Sequence, residues 1–98
     1  MKVSWTHKGM QRLKQLHDYI SYDQPDNALN YVDKITRRVD LLAMQPRSGK
    51  VVEKYRCDDI REIYEGDYRI IYRILVERID ILTVRHNSRL LPNQLHRL

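Results

Sequence analysis

The sequence predicts one α+β domain over residues 1–98, with an N-terminal strand and a two-helix antiparallel hairpin packed on a mainly antiparallel sheet. The sheet is expected to have three to four strands and to be followed by a short C-terminal tail or helix. Three observations predict this. Apolar residues recur at helical spacing from Met10 to Leu42. After Val51 the chain turns β-branched and tyrosine-rich. Turn signals, Glu65-Gly66-Asp67 above all, cut that second half into strands.

In order along the chain, Lys2 to Trp5 alternates polar and apolar, which suits a short strand. Thr6 is placed to cap a helix whose inward residues are Met10, Leu13, Leu16, His17 and Ile20, ending near Ser21–Asp23. Pro25 fits the first turn of a second helix, where its missing N–H costs nothing, and Asp26 suits the positive end of the dipole. Ala28, Val32, Ile35, Val39 and Leu42 step by four and three along that helix and form one apolar stripe. Pro46 ends it, and Arg47-Ser48-Gly49-Lys50 continues as a loop.

Strands are expected near Ile60–Tyr64, Tyr68–Leu75 and Ile79–Arg85, with Val76-Glu77-Arg78 as the second turn. Period two puts Ile70, Tyr72 and Ile74 on one side of the middle strand, and Arg69, Ile71 and Arg73 on the other. In the last strand it groups Leu82 with Val84, against Ile81, Thr83 and Arg85. With the apolar sides toward the helices, Arg69, Arg73 and Arg85 share a face left open for function, with Ile71 exposed between them.

The 98 residues suffice for a hydrophobic core without staples, and 42% hydrophobic with 32% charged residues excludes a disordered chain. The one cysteine, Cys57, allows no internal disulfide and reads as a loop or strand-edge residue. His7, His17, His86 and His96 lack ligand spacing, so no metal is expected, and Gly9, Gly49 and Gly66 are too scattered for a phosphate loop. No cofactor is expected. Without a signal-like or membrane-length apolar run, the expected location is the cytoplasm and no membrane partner is expected.

Net charge is +5, with +4 in residues 1–50 and +1 in residues 51–98. Residues 81–98 nevertheless carry Arg85, Arg89, Arg97, His86 and His96 and no acid, a balance that suits nucleic acid, an acidic protein or plain solvation.

The run Ile60-Arg61-Glu62-Ile63-Tyr64-Glu65-Gly66-Asp67-Tyr68-Arg69-Ile70-Ile71-Tyr72-Arg73 resembles the sheet signature of RelE/ParE toxins. So does Ile81-Leu82-Thr83-Val84-Arg85-His86-Asn87-Ser88-Arg89, and Val3-Ser4-Trp5-Thr6 and Gln45-Pro46-Arg47-Ser48-Gly49 match the same family. The resemblance implies the toxin of a type II toxin–antitoxin pair, bound by a cognate acidic antitoxin. Two activities occur in the superfamily: ParE-like members inhibit DNA gyrase, and RelE-like members cleave mRNA on the ribosome. Arg69 matches the arginine with which the ribonucleases hold the cleaved phosphate. Their two lysines, however, align with Ile60 and Glu62, and their C-terminal tyrosine with about Asn93. An anion in place of a cation weakens stabilisation of a phosphate transition state, so the resemblance is closer to the ParE branch.

The implied target- or antitoxin-binding residues are Arg69, Ile71, Arg73, Arg85 and Arg89. A ribonuclease would instead use Arg69, Arg85 and His86 in catalysis. Arg69 could also pair with Glu62 across the hairpin, if the register sets them opposite. His86 follows Val84 in the alternation and so leans toward the helices. Tyr68 and Tyr72 are expected to pack in the core.

Overall fold

The computed structural model describes all residues, 1–98, in the order β1 (Lys2–Trp5), α1 (His7–Ser21), α2 (Pro25–Asp40), β2 (Lys50–Val51), β3 (Ile60–Glu65), β4 (Tyr68–Ile74) and β5 (Arg78–His86). Short 3-10 turns follow α2, precede β2 and β3, and include Leu95–Arg97 in the tail. The two helices and every expected strand are present. The sheet has five strands, not three to four, in the order β1-β5-β4-β3-β2. The addition is β2, whose Lys50 and Val51 pair with Glu62 and Arg61. Two residues are too short a run to show an alternation. The pairs β2/β3, β3/β4 and β4/β5 are antiparallel, whereas β1 runs parallel to β5 with Trp5 beside Ile81.

Local chemistry accounts for the helix ends. The Thr6 side chain accepts the Gly9 N–H at 2.9 Å and donates to the Ile81 carbonyl at 2.9 Å, so one residue caps α1 and fastens it to β5. A Cβ on Gly9 would stand 2.4 Å from that carbonyl, so only glycine allows α1 to lie this close to the strand. Pro25 opens α2 with Asp26 in its first turn, and Arg37 and Arg38 occupy its last turn, matching the dipole at both ends. Gly66 holds φ +57° in the β3–β4 turn.

The helices cover one sheet face. Ile35, Val39 and Leu42 from the α2 stripe are fully buried and form one cluster with the buried residues Leu13, Leu16, Ile63, Ile70, Tyr72, Ile79, Ile81 and Val84. Met10, expected to face inward, is 54% exposed, so the inward face of α1 is narrower than its pattern suggests. His17 is a half-buried boundary residue beside Asp18. The buried Tyr72 hydroxyl donates to Pro46 O at 2.6 Å and accepts from Gly49 N at 3.0 Å, which ties the loop after α2 to the sheet.

Two expectations about the sheet faces fail. A bulge between Ile71 and Tyr72 pairs these residues with Thr83 and Ile81, leaving Leu82 without a partner. The extra residue shifts the phase of β5. Ile81 therefore joins the helix-side core with Val84, while Leu82 packs on the opposite face. That opposite face is also not open. Val52, Ile60, Ile71, Leu91 and Leu98 form a second buried cluster there, because the C-terminal segment folds back across it. Ile71 is consequently fully buried, not an exposed contact between arginines.

Candidate functional site

The C-terminal segment is held over the sheet by four consecutive carbonyls. Arg69 donates to Arg89 O at 2.5 Å, Arg85 to Leu90 O at 2.9 Å, Lys54 to Leu91 O at 2.5 Å and Tyr55 to Pro92 O at 2.8 Å. Leu91 and Leu98 insert beside Val52, Ile60 and Ile71, with Leu95 against their edge. Side-chain donors from the sheet and the loop before it thus hold this segment by its backbone, as they would a bound peptide. The chain spacing of Leu91, Leu95 and Leu98 was a readable sign of it. Lys54 and Tyr55, which receive it, carried no signal in the sequence.

The arginines divide into two groups. Arg69 and Arg85 are direct partners in the β4–β5 register. Arg73 is exposed at the other end of β4, opposite Ile60 on one side and Asp80 on the other, so it stands apart from them. Arg89 follows the end of β5 and is exposed. A fourth member, Arg12, reaches the group from α1 and was not expected from the sequence. The charge of Arg85 is opposed chiefly by burial, then by Arg12, with Arg69 and Arg89 adding, and Tyr55 acts the other way. A guanidinium keeps its proton under such pressure, so positive potential accumulates here. The ion pairs of the protein use Arg37, Arg47, Arg61, Arg78, Lys50 and His17; none uses Arg12, Arg69, Arg73, Arg85 or Arg89.

The contemplated Arg69–Glu62 pair does not form. Arg69 stands opposite Tyr64, and Glu62 opposite Ile71. Glu62 is 5% exposed, accepts the Tyr64 hydroxyl in a short contact and lies 4.0 Å from Lys50. Burial, and then this carboxylate, raise the pKa of Tyr64 above the usual tyrosine value. The Arg69 Nε is buried without a partner, a polar group left unsatisfied beneath the C-terminal segment.

His86 does lean toward the helix side. Its ring meets Tyr68 edge-on with centroids 5.2 Å apart, and Tyr68 in turn meets Tyr31 at 5.3 Å. The His86 Nδ1 accepts the Ser88 N–H at 3.1 Å, which assigns the proton of the neutral ring to Nε2. Beside it a cavity of about 640 Å³ opens between α1 and the end of β5. A smaller cleft of about 310 Å³ lies by β2 and the C-terminal segment, lined by Lys50, Lys54, Glu62 and Arg69 among others. No helix is long and apolar enough to cross a membrane.

Comparison with known proteins places this geometry. The curated sequence Y4kP of Sinorhizobium fredii, named there as an inferred toxin, is 36% identical over 96 residues, covering 96% of both chains. A chromosomal ParDE toxin–antitoxin system from P. aeruginosa has a chain of the same fold (TM-score 0.75, 21% identity), with 88% of this chain and 95% of that one covered. The toxin–antitoxin complex RelBE2 from Mycobacterium tuberculosis has another (TM-score 0.61, 24% identity), with 87% and 95% covered. The family model for the ParE toxin of the type II toxin–antitoxin system parDE matches residues 3–91, nearly every element described above. The chain belongs to the ParE toxin family of type II toxin–antitoxin systems, within the RelE/ParE superfamily.

Proposed function

We propose that this toxin inhibits DNA gyrase by binding it, without catalysis, and that a cognate acidic antitoxin neutralises it in the cytoplasm. The observation that carries the reading is the state of two β3 positions. Where the ribonucleases of the superfamily carry lysines, this chain has Ile60, fully buried, and Glu62, a buried anion. A phosphodiester in the transition state needs fixed positive charge, and a carboxylate there opposes it. The match to a ParE model points the same way. Purified protein is expected to inhibit supercoiling by gyrase and to leave mRNA uncut on translating ribosomes. Codon-specific cleavage that disappears in Arg69→Ala would overturn this reading. It would favour the second one, a RelE-like ribonuclease, which the adjacency of Arg69 and Arg85 supports.

The antitoxin follows from the same charge distribution. Arg12, Arg69, Arg85 and Arg89 lack carboxylate partners, and both solved relatives described above belong to toxin–antitoxin systems. An acidic partner with apolar anchors would be steered by this end of the sheet. Its association rate is expected to fall several-fold between low and physiological salt. Arg89→Glu should slow association more than Arg73→Glu, because Arg89 adds to a cluster while Arg73 faces Asp80. Stopped-flow binding at two ionic strengths measures both. An on-rate indifferent to salt and to Arg89→Glu would rule out steering by this cluster.

A further inference from the structure

We infer that the cavity between α1 and the end of β5 is a binding site for a nucleoside phosphate monoester, on the helix side of the sheet and independent of the target the toxin acts on. Its walls are rich in donors. Arg12 and Gln15 come from α1, and Arg85, His86, Ser88 and Arg89 from β5 and the residues after it. The Arg12 guanidinium occupies the Gln15 Oε1 at 3.1 Å, which leaves that side chain its NH2 group to offer. The His86 Nδ1 is likewise occupied, by the Ser88 hydroxyl at 2.7 Å and the Ser88 N–H at 3.1 Å, so Ser88 spends its donors there and the neutral ring offers only its Nε2 proton. No carboxylate lines the cavity.

Three guanidinium groups with no carboxylate among them concentrate positive potential at the cavity, which favours an anion from outside. Multidentate oxyanions match guanidinium geometry best. Burial opposes the Arg85 charge most, and the further repulsion from Arg12 is a pressure that a bound anion would relieve.

Size and floor extend the argument from an anion to a nucleotide. The volume, about 640 Å³, far exceeds one phosphate and lies within the range of small-molecule sites. Leu16 and Val84 form an apolar floor, and the rings of Tyr19 and Tyr68 flank it. Tyr19 is 80% exposed, a large ring with no packing role in the fold. Rings of this kind stack on any base and so add affinity without base selectivity. The phosphate is therefore assigned to Arg12 and Arg89, with Arg85 at the rim, one of its donors held by the Leu90 carbonyl, and the base to the tyrosine side.

Isothermal titration of the full chain with adenosine 5′-monophosphate, adenosine and inorganic phosphate tests the assignment. The monophosphate is expected to bind at least tenfold more tightly than either of the others. Two surface variants, Arg12→Gln with Arg89→Gln, and separately Gln15→Glu, should each weaken it at least tenfold while the thermal melt stays unchanged. A single-stranded oligonucleotide with a 5′-phosphate, compared with its 5′-hydroxyl form, separates the two sources of the ligand. A preference for the phosphorylated end, tighter than the free nucleotide, identifies the strand terminus; equal affinity for both oligonucleotides, below that of the free monophosphate, identifies the nucleotide. The inference is overturned if no monophosphate binding is detected or if binding survives both sets of variants. It is equally overturned if a short polyglutamate peptide binds as tightly as the monophosphate and responds to the same variants, since the cavity would then be a carboxylate site.

Discussion

Replacing Val39 by aspartate is expected to abolish the folded state. Val39 is fully buried, mid-stripe on α2, in the cluster that joins both helices to β3, β4 and β5. Among the eleven buried residues of this cluster the one hydroxyl is that of Tyr72, already bonded to Pro46 and Gly49. An unpaired buried charge costs several kcal/mol, comparable to the whole stability of a domain this size. The variant should be insoluble or lack a cooperative melt. Val39→Ala removes two methyl groups and should cost about 2 kcal/mol, leaving a folded protein that melts at lower temperature. A melt unchanged in Val39→Asp would mean that α2 does not bury this stripe.

The α2 stripe shows how far a sequence can speak. Its periodicity came from residues that all obey one local rule, as did the cap at Thr6, the proline at the start of α2 and the turn at Gly66. The three long strands were legible for the same reason, being runs with consistent β preference. The misses each required information from elsewhere in the chain. Lys50–Val51 is a strand only because β3 offers it an edge. The bulge that reverses Leu82 carries no glycine and shows only in the pairing of β4 with β5. Without it, alternation assigns Leu82 to the helices and predicts the wrong face.

The site divides in the same way. The adjacency of Arg69 and Arg85 was legible from strand alternation, and so was the inward lean of His86. Arg12 was not, because its position on α1 says nothing of which strand end it will meet. The covering of the sheet face left one sign in the sequence, the spacing of Leu91, Leu95 and Leu98, which the surrounding charge masked. A tail with His96, Arg97 and no acid reads as solvated, yet its leucines at 91, 95 and 98 lie against the sheet while the charges point elsewhere. Once the tail is in place, Ile71 changes from a contact to a core residue, and Arg69 and Arg85 spend donors on the chain's own carbonyls.

The C-terminal segment should therefore detach without unfolding the domain. Leu91 is buried among Val52, Ile60 and Ile71 in a cluster separate from the helix-side core, with the sheet between them. Leu91→Asp places a charge in that second cluster, and lifting residues 89–98 into water relieves it at the loss of five side-chain hydrogen bonds and a few apolar contacts. Each such bond contributes only about 1 kcal/mol net, because water replaces the partner. Unfolding the helix-side core would sacrifice far more, so the segment gives way first. Cys57 reports the event, since it is partly buried against the second cluster and its thiol is free. Its reaction with a maleimide should accelerate at least tenfold in Leu91→Asp, with a matching rise in binding of a hydrophobic dye to the bared Ile60 and Ile71. Far-ultraviolet circular dichroism should stay close to that of the parent. Truncation after Ser88 should reproduce the labelling rate without adding a charge. If Cys57 reacts no faster in either variant, the segment does not shield this face. If both lose their cooperative melt, the two clusters form one folding unit, and the sheet face cannot be uncovered separately.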